Sequence, residues 1–175
     1  MGLNLLLDNA NPDIWKEYFP TGLVRGITTN PSLLKAANQE CSFDNLKSLI
    51  NKSIELGCKE FHIQAWGNTS EKLENCGLKI ADLGDPSINL YIKLPITREG
   101  SQAAKKLIES KVNITLTACF EAKQALIAAS LGATYIAPYL GRIAANGLNG
   151  YEEVIRMQET LRGLRSSTKL LVASI

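Results

Sequence analysis

The stretch INLYIKLPIT (residues 88–97) places one lysine inside an otherwise aliphatic segment. Isoleucine and leucine occupy every second position, and a period of two predicts a β-strand. Lys93 falls on the face opposite the aliphatic residues and shares that face with Tyr91. Burying an unpaired ammonium group is costly. Lys93 therefore either reaches solvent at the end of the strand, or its buried amine takes part in the chemistry of the protein.

Similar strands recur along the chain, and amphipathic helical segments lie between them. The strand–helix units are roughly 25 residues long, which predicts parallel strands with right-handed crossovers. Ser42 is an expected helix N-cap, and Gly57 and Gly132 are expected helix ends. The predicted strands are 3–8, 22–30, 60–66, 88–97, 112–117, 133–141 and 168–174, and the predicted helices are 11–20, 42–57, 70–84, 99–110, 120–131 and 150–164.

Two architectures accommodate this alternation, namely an open doubly wound sheet and a βα barrel. A doubly wound fold usually has a glycine-rich turn after its first strand, whereas this turn reads DNANPD (8–13). Polar residues stand near the ends of nearly every predicted strand, as they do in barrel active sites. We therefore predict an α/β fold of the TIM-type (β/α)8 barrel class, with about seven βα units present.

The length of 175 residues is enough for one sizeable core, and no linker or change of composition divides the chain. We therefore expect a single βα-barrel domain over residues 1–175. A complete barrel typically takes about 250 residues. The expected domain accordingly lacks the last strand and the closing helices.

The composition excludes several classes of function. A net charge of +2 without a basic run gives no argument for a nucleic-acid or membrane partner. No apolar stretch approaches the length of a membrane span, and the first residues lack the pattern of a signal peptide. The four cysteines show no CxxC spacing and have one histidine beside them. We expect a cytoplasmic protein with reduced thiols, no metal site and no cofactor.

Five polar side chains would converge on one pocket if their strand faces point into a barrel. Loss of solvent around Lys93 would lower the pKa of its amine from the ordinary value of about 10.4. A neutral amine attacks a ketone to form a Schiff base, which withdraws electrons from a neighbouring carbon–carbon bond. The carboxylate would move protons, and the hydroxyl and amide groups would hold the water of the imine chemistry. The five residues are Asp8, Gln64, Lys93, Thr115 and Tyr139.

Four blocks of sequence resemble the signature blocks of the transaldolase family, especially of its short members, which include fructose-6-phosphate aldolase. The resemblance runs through the whole chain in order, and it implies a barrel fold, a sugar-phosphate substrate and a homo-oligomeric ring. The blocks are GITTNPSLL (26–34), YIKLPITREG (91–100), NITLTACFEAKQAL (113–126) and GATYIAPYLGRI (132–143).

The resemblance also implies roles for individual residues. Lys93 would form the Schiff base with a ketose phosphate, and Asp8 would be the acid/base group. Asn30 would contact the substrate, while Arg142 and Ser174 would hold its phosphate. The other expected substrate-binding residues are Thr29, Asn113 and Thr117.

Two features bear on the reaction type. Gln64 and Tyr139 resemble the aldolase subgroup, and they favour cleavage or formation of a free dihydroxyacetone unit from fructose 6-phosphate. Asn113 and Thr115 resemble true transaldolases, which move that unit between sugar phosphates in the pentose phosphate pathway. A barrel that binds sugar phosphate without turnover is a third alternative. A metal-dependent aldolase needs several ligands, which one histidine does not supply.

Overall fold

The structure is a computed structural model that describes residues 3–175, and strands alternate with helices along this range. Its strands are short, and several have both faces covered, as is usual for parallel strands. The strands are β1 (Leu5–Asp8), β2 (Val24–Thr28), β3 (Glu60–Gln64), β4 (Asn89–Pro95), β5 (Ile114–Cys119), β6 (Tyr135–Pro138) and β7 (Lys169–Leu170).

Helices occupy most of the chain between the strands, and a 3-10 turn (Phe19–Thr21) follows the first of them. Within the described range, no helix combines the length and the apolar composition that crossing a bilayer requires. The helices are α1 (Pro12–Tyr18), α2 (Pro31–Ala36), α3 (Phe43–Glu55), α4 (Ser70–Ala81), α5 (Arg98–Glu109), α6 (Gln124–Leu131), α7 (Leu140–Ala145) and α8 (Gly150–Gly163).

Polar caps explain where several helices begin and end. The hydroxyl of Ser42 accepts a hydrogen bond from the Asn45 N–H at 3.4 Å, so Ser42 caps α3 as predicted. Gly132 ends α6 with a φ of 76°, which also confirms the prediction. Gly57 has a φ of 80° and lies two residues beyond the last residue of α3.

The strands form one sheet whose order follows the chain from β1 to β7. β1, β2 and β3 pair in parallel, with Asp8 opposite Thr28 and Thr28 opposite His62. β5, β6 and β7 also pair in parallel, and Thr115 lies opposite Tyr135. Parallel strands in chain order with helical crossovers are the topology of a TIM-type (β/α)8 barrel. The predicted fold class is confirmed, with seven βα strands in the part of the chain that the structure describes.

Contacts divide the chain into two compact units, and each has a buried core of its own. The single barrel domain expected over residues 1–175 stays a prediction. Among the described residues, unit 1 consists of 3–65 and Cys76–Ile92, and unit 2 consists of Trp66–Asn75 and Lys93–Ile175.

Large side chains fill the core of unit 1, and smaller ones fill much of the core of unit 2. In unit 1 the fully buried ring of Trp15 meets Phe61 edge-on, with the ring centroids 5.7 Å apart. In unit 2, alanines of α5 and α6 are fully buried with aliphatic residues of the neighbouring strands. These include Ala103, Ala104, Leu107, Leu116, Ala125 and Ala128.

Two helices were not predicted, and both begin within three residues of the end of a strand. β2 ends at Thr28 rather than at residue 30, because the Asn30 side chain accepts the Leu33 N–H and starts α2. Pro31 at the first helical position supports that start, since its missing N–H is not needed there. α7 begins two residues after Pro138, so Arg142 lies in a helix and not at the end of a strand.

Three predicted boundaries around β5 and β7 were wrong. β5 begins at Ile114, so Asn113 precedes the strand. α6 begins at Gln124 and not at Phe120, because the Gln124 Oε1 accepts the N–H groups of Phe120 and Glu121 and holds them in a turn. β7 has two residues instead of seven, because its partner strand ends in Pro138, which offers no N–H to continue the ladder.

Candidate active site

Lys93 is a buried lysine in the second half of β4. Its exposed fraction is 5%, and its sequence neighbours Ile92 and Leu94 are fully buried. Tyr91, two residues earlier on the same face, is 9% exposed. The alternative of a lysine that reaches solvent at the strand end is therefore wrong. A buried primary amine suits imine chemistry, because desolvation is one way to activate a lysine as a nucleophile.

Asp8 is fixed at the carboxyl end of β1. The hydroxyl of Thr28, its partner in the parallel pairing, donates a hydrogen bond of 2.6 Å to Asp8 Oδ1. The next residue continues the pairing, since the Asn9 N–H donates to the Thr28 carbonyl oxygen at 3.0 Å. Asp8 itself is exposed. Thr28 therefore orients this carboxylate. This role for Thr28 was not predicted from the sequence.

Thr29 and Asn30 follow β2, and they make different structural contacts. Thr29 is fully buried, and its N–H donates to the His62 carbonyl oxygen at 2.9 Å. Asn30 Oδ1 accepts the Leu33 N–H at 3.0 Å and caps α2. That contact uses the acceptor end of the Asn30 amide, so its Nδ2 donor end is the one suited to a ligand oxygen. Their roles as substrate-binding residues stay predictions.

Gln64 ends β3 and is half-buried, two residues beyond His62 on the same face. His62 is fully buried and stacks on Tyr91, with the ring centroids 4.5 Å apart and an interplanar angle of 17°. This placement agrees with a core histidine. Burial raises the pKa of the Tyr91 phenol, and the nearby negative charge of Glu60 raises it further, partly offset by Arg25.

In unit 2, Thr115 and Thr117 lie in β5 and are almost completely buried. Asn113 is exposed and precedes the strand. The register with β6 shifts between Thr117 and Cys119, and Ala118 takes a left-handed conformation there with a φ of 57°. A bulge of this kind re-aims the side chains beside it. Before this shift Thr117 pairs with Ala137, and the residue two positions beyond Ala137 lies on the same face as Ala137.

That residue is Tyr139. Thr117 Oγ1 donates a hydrogen bond to the Tyr139 phenol oxygen at 3.0 Å. Phe120 meets the Tyr139 ring edge-on, with a centroid distance of 6.0 Å and an angle of 72°. The guanidinium carbon of Arg142 lies 5.2 Å from the centroid of the same ring. Tyr139 thus connects a hydroxyl, an aromatic ring and a cation in one cluster.

Ser174 is tied to the start of α7 by backbone contacts. The Gly141 N–H donates to the Ser174 carbonyl oxygen at 2.6 Å, and the Leu140 N–H donates to the Ala173 carbonyl oxygen at 2.9 Å. A Cβ atom on Gly141 would lie 2.7 Å from the Ser174 oxygen, so this approach requires glycine. The structure therefore places Ser174 beside Gly141, the residue that precedes Arg142.

The expected residues thus form groups within each unit. Unit 1 joins Asp8 to the end of β2, and unit 2 joins Thr117, Tyr139 and Arg142. Sequence reasoning missed Phe120 and Gly141. The motif GRI contains the signal for Gly141, whereas nothing in the sequence indicates that Phe120 contacts a residue after the next strand.

Comparison with known proteins identifies the family. A family model described as transaldolase/fructose-6-phosphate aldolase matches residues 5–175. A probable transaldolase of Bartonella bacilliformis is 34% identical over 99% of this chain and 76% of its own length. A probable transaldolase of Leptospira biflexa serovar Patoc is 30% identical over 99% of this chain and 77% of its own length. A probable transaldolase of Brucella ovis is 32% identical, with coverages of 99% and 76%.

A solved structure also matches. It is described as a monomeric dihydrodipicolinate synthase variant, and it superposes with a TM-score of 0.62 at 15% identity. The match covers 97% of this chain but 62% of that one, so the chain spans less than two thirds of that protein. At this identity the likeness concerns the fold alone. The sequence relatives decide the assignment, and the chain belongs to the transaldolase and fructose-6-phosphate aldolase family.

Proposed function

We propose that the protein is a Schiff-base aldolase or transaldolase that acts on fructose 6-phosphate and its dihydroxyacetone unit. The observation that carries the proposal is the position of Lys93, a lysine with 5% exposure inside β4 of a chain from this family. Burial favours the neutral form of an amine, and the neutral form is the nucleophile. No cofactor is needed, because the imine itself accepts electrons.

The reaction assigns one role to Lys93 and another to Asp8. The Lys93 nitrogen adds to the ketone carbon, and loss of water gives a protonated imine. As the adjacent carbon–carbon bond breaks, its electron pair moves to the imine nitrogen, and Asp8 takes the proton from the hydroxyl that becomes the departing aldehyde. Protonation of the resulting enamine and hydrolysis release dihydroxyacetone and free Lys93. The hydrogen bond from Thr28 to Asp8 supports this role by orienting the carboxylate.

We favour the aldolase reaction because of the neutral polar groups assigned to the catalytic water. We assign Gln64, Thr115 and Tyr139 the role of holding that water. The hydrogen bond from Thr117 to the Tyr139 phenol occupies an acceptor lone pair and leaves the phenol proton available to donate. A phenol held in this way suits the delivery of water to an imine.

Transaldolase activity is the second candidate, and two observations favour it. Relatives covering nearly the whole chain are named probable transaldolases. Asn113 and Thr115 also match the block typical of such enzymes. In either reaction, Arg142 and Ser174 would bind the phosphate, and Thr29, Asn30, Asn113 and Thr117 would contact the sugar. The cytoplasmic location and the homo-oligomeric state stay predictions.

A product assay tests the proposal. The protein is incubated with fructose 6-phosphate, and free dihydroxyacetone and glyceraldehyde 3-phosphate are measured with and without an added aldose phosphate. Free dihydroxyacetone without an acceptor supports the aldolase, and products formed only with an acceptor support the transaldolase. Asp8→Asn should lower either rate by about 100-fold or more, the usual range for a lost acid/base group. A folded protein that forms no product in either assay would reject both activities.

A further inference from the structure

We infer that the ring of Tyr139 is a platform that positions the Arg142 guanidinium for the substrate phosphate, a role separate from that of the phenol hydroxyl. The inference rests on the proposed function, in which Arg142 binds the substrate phosphate. Tyr139 would then act twice, through its hydroxyl at the reacting centre and through its ring on the phosphate site.

The ring is a fixed surface. The Thr117 hydroxyl donates to the phenol oxygen at 3.0 Å, and the Phe120 ring meets its edge at a centroid distance of 6.0 Å. At the backbone, the Tyr139 N–H donates to the Cys119 carbonyl oxygen at 3.1 Å. These contacts come from β5 and from the turn after it, so they hold the ring independently of Arg142.

The cation above this ring would otherwise be mobile. Arg142 is exposed and lies on a helix of six residues, where an arginine side chain samples many rotamers. Its guanidinium carbon lies 5.2 Å from the Tyr139 ring centroid, within the range of a cation–π contact. A cation–π contact with the ring face uses none of the guanidinium N–H groups in a hydrogen bond to a side-chain oxygen, so they can bind phosphate oxygens. The contact therefore restricts the side chain without using its donors.

Ser174 is held in place by the same segment. Gly141 lies between the platform and Arg142 in sequence, and its N–H donates to the Ser174 carbonyl oxygen at 2.6 Å. The backbone segment 139–142 thus includes the aromatic ring, the guanidinium group and the N–H group that binds the Ser174 carbonyl oxygen. A site built in this way is suited to a phosphate at one end of a phosphorylated ketose.

The test measures phosphate binding without turnover, so that it is independent of the proposed catalysis. Inorganic phosphate is titrated by isothermal calorimetry into the unmodified protein, Tyr139→Phe, Tyr139→Leu and Arg142→Gln. Tyr139→Phe keeps the ring and its contact with Phe120 but loses the hydrogen bond from Thr117, and it should bind phosphate more tightly than Tyr139→Leu. Tyr139→Leu removes the ring and should weaken binding about two- to fivefold, the usual size of an exposed cation–π contact. Arg142→Gln should weaken binding at least as much as Tyr139→Leu.

The outcomes separate the two hypotheses. Equal phosphate affinity in Tyr139→Leu and the unmodified protein, with a loss in Arg142→Gln, would overturn the platform and leave the proposed function intact. Absence of phosphate binding in the unmodified protein would overturn the inference. Phosphate binding that depends on the ring in a protein without turnover would support the platform while rejecting the proposed catalysis.

A second readout covers the case in which Tyr139→Leu fails to fold. The side-chain Nε–H resonance of Arg142, assigned with Arg142→Lys, should show an upfield ring-current shift in the unmodified protein and in Tyr139→Phe. A resonance at the ordinary arginine position in both proteins would contradict the platform.

Discussion

The strands β4 and β7 each carry one lysine, and the two lysines have opposite surroundings. Lys93 in β4 is 5% exposed, and fully buried aliphatic residues flank it in sequence. Lys169 in β7 is exposed, and its ammonium lies 5.5 Å from the centroid of the Tyr135 ring. Both residues are strand lysines, but Lys93 is buried whereas Lys169 is exposed beside an aromatic ring.

This difference is the basis on which we propose Lys93, and not Lys169, as the nucleophile. An exposed ammonium keeps its hydration, and a nearby ring only adds to its stability as a cation. A buried amine loses that hydration, which favours the neutral nucleophile. We therefore propose that the Schiff base forms on the lysine of β4 and that the lysine of β7 has a surface role.

Exchange of each lysine for arginine gives the largest expected effect. Lys93→Arg should lower turnover of fructose 6-phosphate by about a thousandfold or more, because a guanidinium stays charged and cannot form the imine. Lys169→Arg is the matched control and should keep the rate within about twofold, since its cation–π contact survives. Steady-state rates and circular dichroism of both variants check this prediction. Equal rates in the two variants would contradict the proposed difference in function between Lys93 and Lys169.

Glycine substitutions test how tightly the chain packs at the ends of these strands. A Cβ atom on Gly100, in α5, would overlap the carbonyl oxygen of Pro95 at the end of β4. Gly100→Ala should therefore lower the free energy of unfolding by about 3 kcal/mol. Gly141→Ala should cost about 1 kcal/mol, because its Cβ would lie 2.7 Å from the Ser174 carbonyl oxygen, a less severe overlap than the one at Gly100.

Gly163→Ala is the control for both substitutions. No atom lies within 4 Å of its Cβ position, and the change should stabilise the protein by about 0.5 kcal/mol. Urea denaturation of the three variants measures these differences. A Gly100→Ala variant as stable as Gly163→Ala would show that the end of β4 is packed loosely.

The reactivity of the cysteines provides a further comparison of buried and exposed side chains, with a smaller expected effect. Burial raises the pKa of Cys119 in β5 to about 12 and that of Cys58 to about 11, partly offset by hydrogen bonds to the sulfur. The thiolate is the reactive form, so both stay thiols at pH 8. Cys41 is exposed and should be alkylated first by iodoacetamide in the native protein. Peptide mapping against reaction time checks the order, and Cys119 reacting as fast as Cys41 would contradict it.

Local patterns in the sequence predicted much of the fold. Alternation at period two located β4 and Lys93, and Ser42 and Gly132 set helix ends because caps act on nearby backbone groups. Sequence patterns missed α2 and α7, which are six residues each and lack an apolar period long enough to detect.

The candidate site was less predictable, because its contacts join distant parts of the chain. The hydrogen bond from Thr28 to Asp8 depends on the register between β1 and β2. The contact between Thr117 and Tyr139 depends on the register between β5 and β6, which shifts just after Thr117 at a bulge. At that bulge Ala118 takes a left-handed conformation that alanine rarely adopts. Neither the register nor the bulge has a signature in the sequence.

One measurement tests the central claim most directly. The protein is incubated with fructose 6-phosphate, reduced with borohydride, digested and analysed by peptide mass spectrometry. The account predicts a substrate-dependent adduct on Lys93, none on Lys169 in the same digest, and none in Lys93→Arg. A folded protein that shows no adduct on Lys93 at any pH, or an equal adduct on Lys169, would contradict the assignment of the nucleophile to β4.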